Sequence, residues 1–149
     1  MLLVERALPP YQGVRTIPGG HRKHGEELKE ACLREMREET GLLLEDCRFA
    51  GMLQVHHPGS TTPEYLCIYF VADAFSGTLT PSEEGSLAWE KSAALHQDAG
   101  THPALRALLP FIEKGTYPFM AEAVTDCEGR GVYTVTGPGN AVPVSKRYE

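Results

Sequence analysis

Residues Gly20 to Leu42 read GHRKHGEELKEACLREMREETGL, and the fold turns on how this stretch is understood. The spacing predicts a helix from about Gly25-Glu26 to Glu39, ended by Gly41 in the left-handed position that follows a helix. At ~100° per residue and measured from Leu28, Cys32 falls near +40°, Ala31 near −60° and Met36 near +80°, which defines an apolar face. Glu35 and Glu39 land within about 20° of the centre of that face, and Glu38 lies at its margin near −80°. A helix serving only to pack would carry leucines there. Glu35, Glu38 and Glu39 also stand at i, i+3 and i+4, so their side chains are neighbours ~5–6 Å apart at Cβ. At an effective dielectric near 20, two such charges repel by roughly 3 kcal/mol. A divalent cation turns that repulsion into coordination, and Mg²⁺ accepts one or two carboxylates while leaving places for water and substrate phosphates. The competing reading is a solvated face on which Arg34 and Arg37 pair with the glutamates along the helix.

The loop before the helix leans towards chemistry. Gly19-Gly20 lets main-chain groups approach a metal or phosphate closely. Arg22, Lys23, His21 and His24 place positive charge beside it, although each alone equally suits a basic surface loop.

Outward from this segment, Leu2 to Glu5 and Val14 to Ile17 read as short strands joined through Pro9, Pro10 and Gly13. Residues near 47 to 57 and 64 to 75 read as an antiparallel pair separated by His57-Pro58-Gly59-Ser60. A strand follows around Leu87 to Glu90, and Leu105, Leu108, Leu109 and Ile112 mark a packed helix from Pro103 to Lys114. Val132 to Val135 would pair with a strand near Tyr117 to Val124. The pattern therefore implies one α/β domain over residues 1–136, with a loose Gly- and Pro-rich tail over 137–149.

Composition narrows the function. The 149 residues are 42% hydrophobic, enough for one core without staples. A net charge of −6 and the lack of a basic stripe argue against nucleic acid as partner. Apolar runs such as Leu42 to Leu44 and Tyr65 to Ala72 fall far short of the ~20 residues of a membrane span, and no signal peptide is apparent. These features predict a soluble cytoplasmic protein without a membrane partner. Cys32, Cys47, Cys67 and Cys127 lack metal or redox spacing and read as reduced and mostly buried. His56, His57, Cys127, Tyr65, Tyr69 and Phe70 read as packing or surface residues before ligands. Trp89 reads as a core residue before a platform for a base.

The arrangement Gly20, Glu26, Arg34-Glu35-Met36, Glu38-Glu39 and Gly41-Leu42, at these spacings, resembles a complete Nudix box. The resemblance extends to Leu2 to Arg6, Thr16 to Gly20, Pro63 to Leu79, Glu84-Gly85 and Trp89, which are similar to MutT-type members. Leu108 to Val135 is a weaker match to the C-terminal helix and hairpin of oxidised-purine triphosphatases. The resemblance implies an α/β/α sandwich around a mixed sheet. It implies a Mg²⁺-dependent hydrolase (Mn²⁺ substituting) whose metal ligands are Glu35, Glu38, Glu39 and the Gly20 carbonyl. Arg34 would hold a glutamate in place, Glu84 or Glu38 would take the proton from water, and Glu83 is an alternative to Glu84. Gly19, Gly20, Arg22 and Lys23 are the candidate substrate contacts.

The implied reaction cleaves a pyrophosphate bond in a nucleoside diphosphate derivative, foremost a (d)NTP or an oxidised purine dNTP, giving a monophosphate and pyrophosphate. Rival readings are a nucleotide-sugar or dinucleoside polyphosphate hydrolase, or a catalytically silent nucleotide sensor; on any of them the chain is expected to act as a monomer or homodimer. Two departures stand out. Arg22-Lys23 is basic in a loop that is often apolar then acidic. The strand that members carry before the one at Leu2 has no counterpart here, so either the start is placed too far downstream or another segment fills that edge; the chain as it stands is expected to leave the sheet open, prone to self-association and weakly selective for bases.

Overall fold

The computed structural model describes residues 1–139 and 142–149, which divide into two compact units. The first comprises Met1–Arg48 and Phe70–Thr101. Its three-stranded sheet sets β1 (Leu2–Arg6) between β2 (Arg15–Thr16) and β7 (Gly85–Trp89), antiparallel to both. Leu2, Leu3 and Val4 are all buried, as befits a central strand covered on both faces. A second ladder joins β3 (Leu42–Leu44) to β6 (Phe75–Gly77), and the short helix α2 (Ser92–Leu95) follows β7. Neither β3, β6 nor α2 was expected, because each is four residues or fewer and too short to show a period.

Helix α1 (Leu28–Thr40) carries the decisive segment. It starts two residues later than the pattern suggested, because the Glu30 carboxylate accepts the backbone N–H of Glu27 (3.4 Å) and fixes the first turn there. It ends at Gly41, with φ 72° and its N–H donated to the Arg37 carbonyl. A Cβ at Gly41 would lie 2.6 Å from the Thr78 carbonyl oxygen, so both conformation and space demand glycine. Ala31 and Thr40 are buried, whereas Leu28, assigned to the apolar face, is 48% exposed in the first turn.

The second unit comprises Phe49–Tyr69 and His102–Glu149. Its five-stranded sheet has the order β10 (Val144–Tyr148), β9 (Gly131–Thr136), β8 (Phe119–Thr125), β4 (Arg48–His56), β5 (Tyr65–Val71). It is mixed: β4 and β8 run parallel, while β8–β9 and β9–β10 are antiparallel. The α/β class and the mixed sheet anticipated from the sequence are both present. Strand β8 alternates strictly, with Phe119, Ala121, Ala123 and Thr125 buried and Met120, Glu122 and Val124 outward. Helix α3 (Pro103–Glu113) is capped by His102, whose Nδ1 accepts from the Ala104 N–H, and it packs on β9. Its buried Ala104, Leu105, Leu108 and Leu109 supply the helical part of this core, and Phe119 lies within ring contact of Tyr69 and Phe111.

Two expectations are corrected here. The tail beyond Gly137 is not loose over its whole length. Residues 140 and 141 lie outside the described residues, but Val144–Tyr148 pairs with β9. The Tyr148 ring is buried, edge-on to Tyr133 at 5.6 Å and under the Arg106 guanidinium at 4.7 Å. That anchor is the one buried residue of the strand, and the polar run Ser145-Lys146-Arg147 before it hid it. The open edge expected at β1 is also absent, since β1 has a neighbour on each side. Strand β4 is likewise interior, flanked by β5 and by the parallel β8. No helix among the described residues is long and apolar enough to cross a membrane.

Candidate active site

All the candidate residues of the sequence lie in the first unit, and α1 and the loop before it bring most of them together. Arg34 is the hub. Its Nε and Nη2 grip both oxygens of Glu26 (2.7 and 2.9 Å), Nη2 also donates to the His21 carbonyl (3.0 Å), and Nη1 bridges Glu35 (2.8 Å) and Glu38 (3.0 Å). Every N–H of the guanidinium is thereby used. The Arg34 grip, then the Lys23 backbone N–H, holds the Glu26 carboxyl down to about 2, and the carboxylates push the Arg34 guanidinium up in turn. Glu26 thus ties the glycine loop to α1: it accepts from the Lys23 N–H (2.8 Å), while Arg22 donates to its carbonyl (2.9 Å).

The glutamates divide by environment. Glu38 is exposed and paired with Arg34 and, at 3.8 Å, with Lys23. Glu35 is half-buried against Gly20, where a Cβ would lie 2.5 Å from its carboxyl carbon, so only glycine admits the carboxylate at this place. Glu39 accepts the Gly19 N–H at 3.0 Å. Burial pushes the Glu39 carboxyl up to about 7, with Glu35 and Glu84 adding repulsion that the Gly19 N–H and Arg6 only partly offset. Glu84 is half-buried and stands 3.8 Å from Arg6, whereas Glu83 is exposed.

The donor set fits a hard cation. It is all oxygen, and a positively charged nitrogen already bridges Glu35 and Glu38. Among the described residues no three carboxylate, imidazole or thiol groups converge into a finished cage, because Arg34 holds Glu35 and Glu38 while Glu39 turns to Gly19. A groove of about 440 Å³ runs beside these groups, lined by Leu33, Arg34, Arg37, Glu38, Leu43 and Leu44.

Sequence reasoning gave no role to Arg6 or Glu26. Arg6 reaches the site only because β1 pairs with β7 and sets Arg6 opposite Gly85, a register that no local motif encodes. Glu26 was visible as a motif position but not as the partner of Arg34. Trp89, expected in the core, is 53% exposed and stacks on Phe75 with centroids 5.3 Å apart. The thiols are less buried than expected: Cys47 is buried, Cys32 and Cys67 are half-buried and Cys127 is exposed.

Comparison with known proteins places the fold and the family. A model of the NUDIX domain matches residues 1–111. An uncharacterized Nudix hydrolase of Bacillus subtilis, YvcI, is 30% identical over 109 residues, covering 71% of this chain and 68% of that protein. The ADP-ribose pyrophosphatase of Methanocaldococcus jannaschii is 31% identical over 86 residues, 56% of this chain and 49% of its own length. The crystal structure of a MutT protein from Bacillus halodurans superposes with a TM-score of 0.79 at 21% identity, over 90% of this chain and 88% of the other. The chain belongs to the Nudix family of pyrophosphohydrolases, whose members are typically dependent on divalent metals and act on small nucleotides.

Proposed function

We propose that this chain hydrolyses a nucleoside triphosphate, a (d)NTP or oxidised purine dNTP, to the monophosphate and pyrophosphate. The observation that carries the reading is the gathering of Glu35, Glu38 and Glu39 on one stretch of α1, two of them bridged by Arg34 and the third held by Gly19. Glu35, Glu38, Glu39 and the Gly20 carbonyl would hold Mg²⁺, which supplies positive charge to the diphosphate oxygens and acidifies water. Arg34 keeps Glu35 and Glu38 oriented. Gly19 and Gly20 offer close main-chain approach to a phosphate, and Arg22 and Lys23 add positive charge beside it. Glu84, kept near Arg6, accepts the proton of the attacking water, with Glu38 as the alternative.

The ADP-ribose pyrophosphatase relative favours a second reading, in which the diphosphate joins a nucleoside to a sugar. Turnover of a nucleotide panel with Mg²⁺ separates the two: release of pyrophosphate from triphosphates supports the first, and cleavage of ADP-ribose alone supports the second. Undiminished turnover in excess EDTA would overturn both.

A further inference from the structure

The four cysteines carry no pairing motif in the sequence, yet the fold brings two of them together within the first unit. Lys29 and Cys32 stand at i and i+3 on α1, so they share one flank of the helix a turn apart. After Gly41 turns the chain back, β3 packs against α1 and the residues that follow it deliver Asp46 and Cys47 to that flank. Asp46 fixes the meeting from both sides. Its Oδ1 accepts from the Lys29 ammonium at 2.5 Å and from the Cys47 N–H at 2.8 Å. Cys47 is buried and Cys32 half-buried, and their side chains meet, the Cys32 S–H donating to the Cys47 sulfur. Neither thiol has a place in the hydrolysis proposed above. A soft metal ion would find no finished site here, because among the described residues no third carboxylate, imidazole or thiol converges with the pair.

Sulfurs that already point at each other meet the first geometric demand of a disulfide. The surroundings set the order of events. Burial pushes the Cys32 thiol up to about 12, with Cys47 adding to it. Burial raises Cys47 as well, but the Cys32 S–H and the Lys29 ammonium offset part of that rise, so Cys47 is the attacking thiolate of the pair. Half-buried Cys32 leaves the pair open to a small oxidant such as hydrogen peroxide. The Cys47 thiolate attacks one peroxide oxygen, the O–O bond breaks, and the other oxygen leaves as hydroxide and is protonated to water. The sulfenic acid so formed faces Cys32, whose sulfur gives up its proton, closes the S–S bond and expels a second water. Two thiols and one peroxide thus become one disulfide and two waters. Thiols raised in this way attack slowly and, once joined, are poor leaving groups, so the bridge forms under sustained oxidation and then persists.

We propose that Cys32 and Cys47 are a redox pair that peroxide converts to a disulfide, stapling α1 to the segment after β3 and enclosing Glu35, Glu38 and Glu39 in one covalent loop. The inference stands apart from the choice of nucleotide substrate. The test treats the full chain with hydrogen peroxide, blocks the remaining thiols and digests it with trypsin in the absence of reductant. Trypsin separates the two cysteines, placing Cys32 in the peptide Glu30–Arg34 and Cys47 in Glu38–Arg48. The expected result is one ion that joins these peptides and has lost two hydrogens, from a chain that still runs as a monomer on a non-reducing gel. Dithiothreitol is expected to part them. Closing the loop is also expected to raise the thermal midpoint by roughly 5–10 °C, through restriction of the unfolded chain. That gain should vanish with dithiothreitol and be missing in Cys32→Ser, whose half-buried position tolerates the exchange. The proposal is overturned if exposed Cys127 is oxidised while the two peptides stay separate, or if Cys32 or Cys47 pairs with another cysteine or another chain. It is equally overturned if the bridged protein melts below the reduced one, which marks a strained bond that the fold does not favour.

Discussion

Replacing Gly20 by alanine tests the site by adding one methyl group. The new Cβ would sit 2.5 Å from the Glu35 carboxyl carbon and 2.5 and 2.6 Å from its oxygens. Ordinary carbon contacts lie at ~3.5–4.0 Å, so the carboxylate must retreat by about 1 Å. It is the far end of a flexible side chain, and Gly20 is exposed, so the fold absorbs the change cheaply. The site does not, because Glu35 is held through Arg34 to Glu38 and Glu26, and its displacement breaks a shared network. A misplacement of ~1 Å in a catalytic constellation can cost on the order of 10²-fold in rate. The expected outcome for Gly20→Ala is therefore a kcat/KM lowered about 100-fold, with a thermal midpoint in EDTA close to that of the parent. Stopped assays on the best nucleotide of the panel, with Mg²⁺ varied, measure the first; calorimetry measures the second. Near-normal turnover in Gly20→Ala would show that the position of Glu35 does not matter to the chemistry and would refute the proposed ligand set.

Three further outcomes follow from the same structure. Glu39 keeps its proton up to about 7 when folded, against an ordinary value of 4.5, so the folded state binds more protons than the unfolded chain across that window. Stability without metal should therefore fall as pH rises from 4.5 towards 7, and Glu39→Gln should flatten the slope; melting in EDTA across pH checks both, and a flat parent profile contradicts the assigned burial. Glu84→Gln should lose roughly 10²-fold or more in kcat, the usual contribution of a general base, whereas exposed Glu83→Gln should stay close to the parent; equal losses would remove Glu84 from its role. Phe119→Ala, at a residue 1% exposed, should destabilise the fold by ~3–5 kcal/mol and lower the midpoint by roughly 10 °C, read by denaturant and thermal unfolding.

How far the sequence revealed this protein depended on how local each determinant was. The carboxylates of α1, the glycine that ends it and the β8–β9 pairing were legible, because a helical or two-residue period over many positions is a strong signal. Cross-chain registers were not. Arg6 comes near Glu84 through β1–β7 pairing, and β3 with β6 makes a ladder from segments separated by two other elements, β4 and β5. Trp89 was misjudged because hydrophobicity argues for burial without saying which aromatic has a partner to stack on at the surface.

The same limit bears on base selectivity. An open sheet was expected to leave the base poorly discriminated, because the strand that members carry before the one at Leu2 has no counterpart here. In the structure β4 is covered on one side by β8, which comes after α3 and runs parallel to it from Gly51 opposite Phe119 to His56 opposite Val124. The parallel pairing satisfies the backbone of β4 on that side, so no edge is left to recruit another chain there. It also decides which side chains stand next to Met52 and Gln54. Strict alternation along β8 turns Phe119, Ala121 and Ala123 into the core and leaves Met120 and Glu122 on the other face. Any shift of one residue in this register would exchange those sets, burying a carboxylate and exposing Phe119. The packing of Phe119 therefore fixes the placement of Glu122 on the outward face of the sheet.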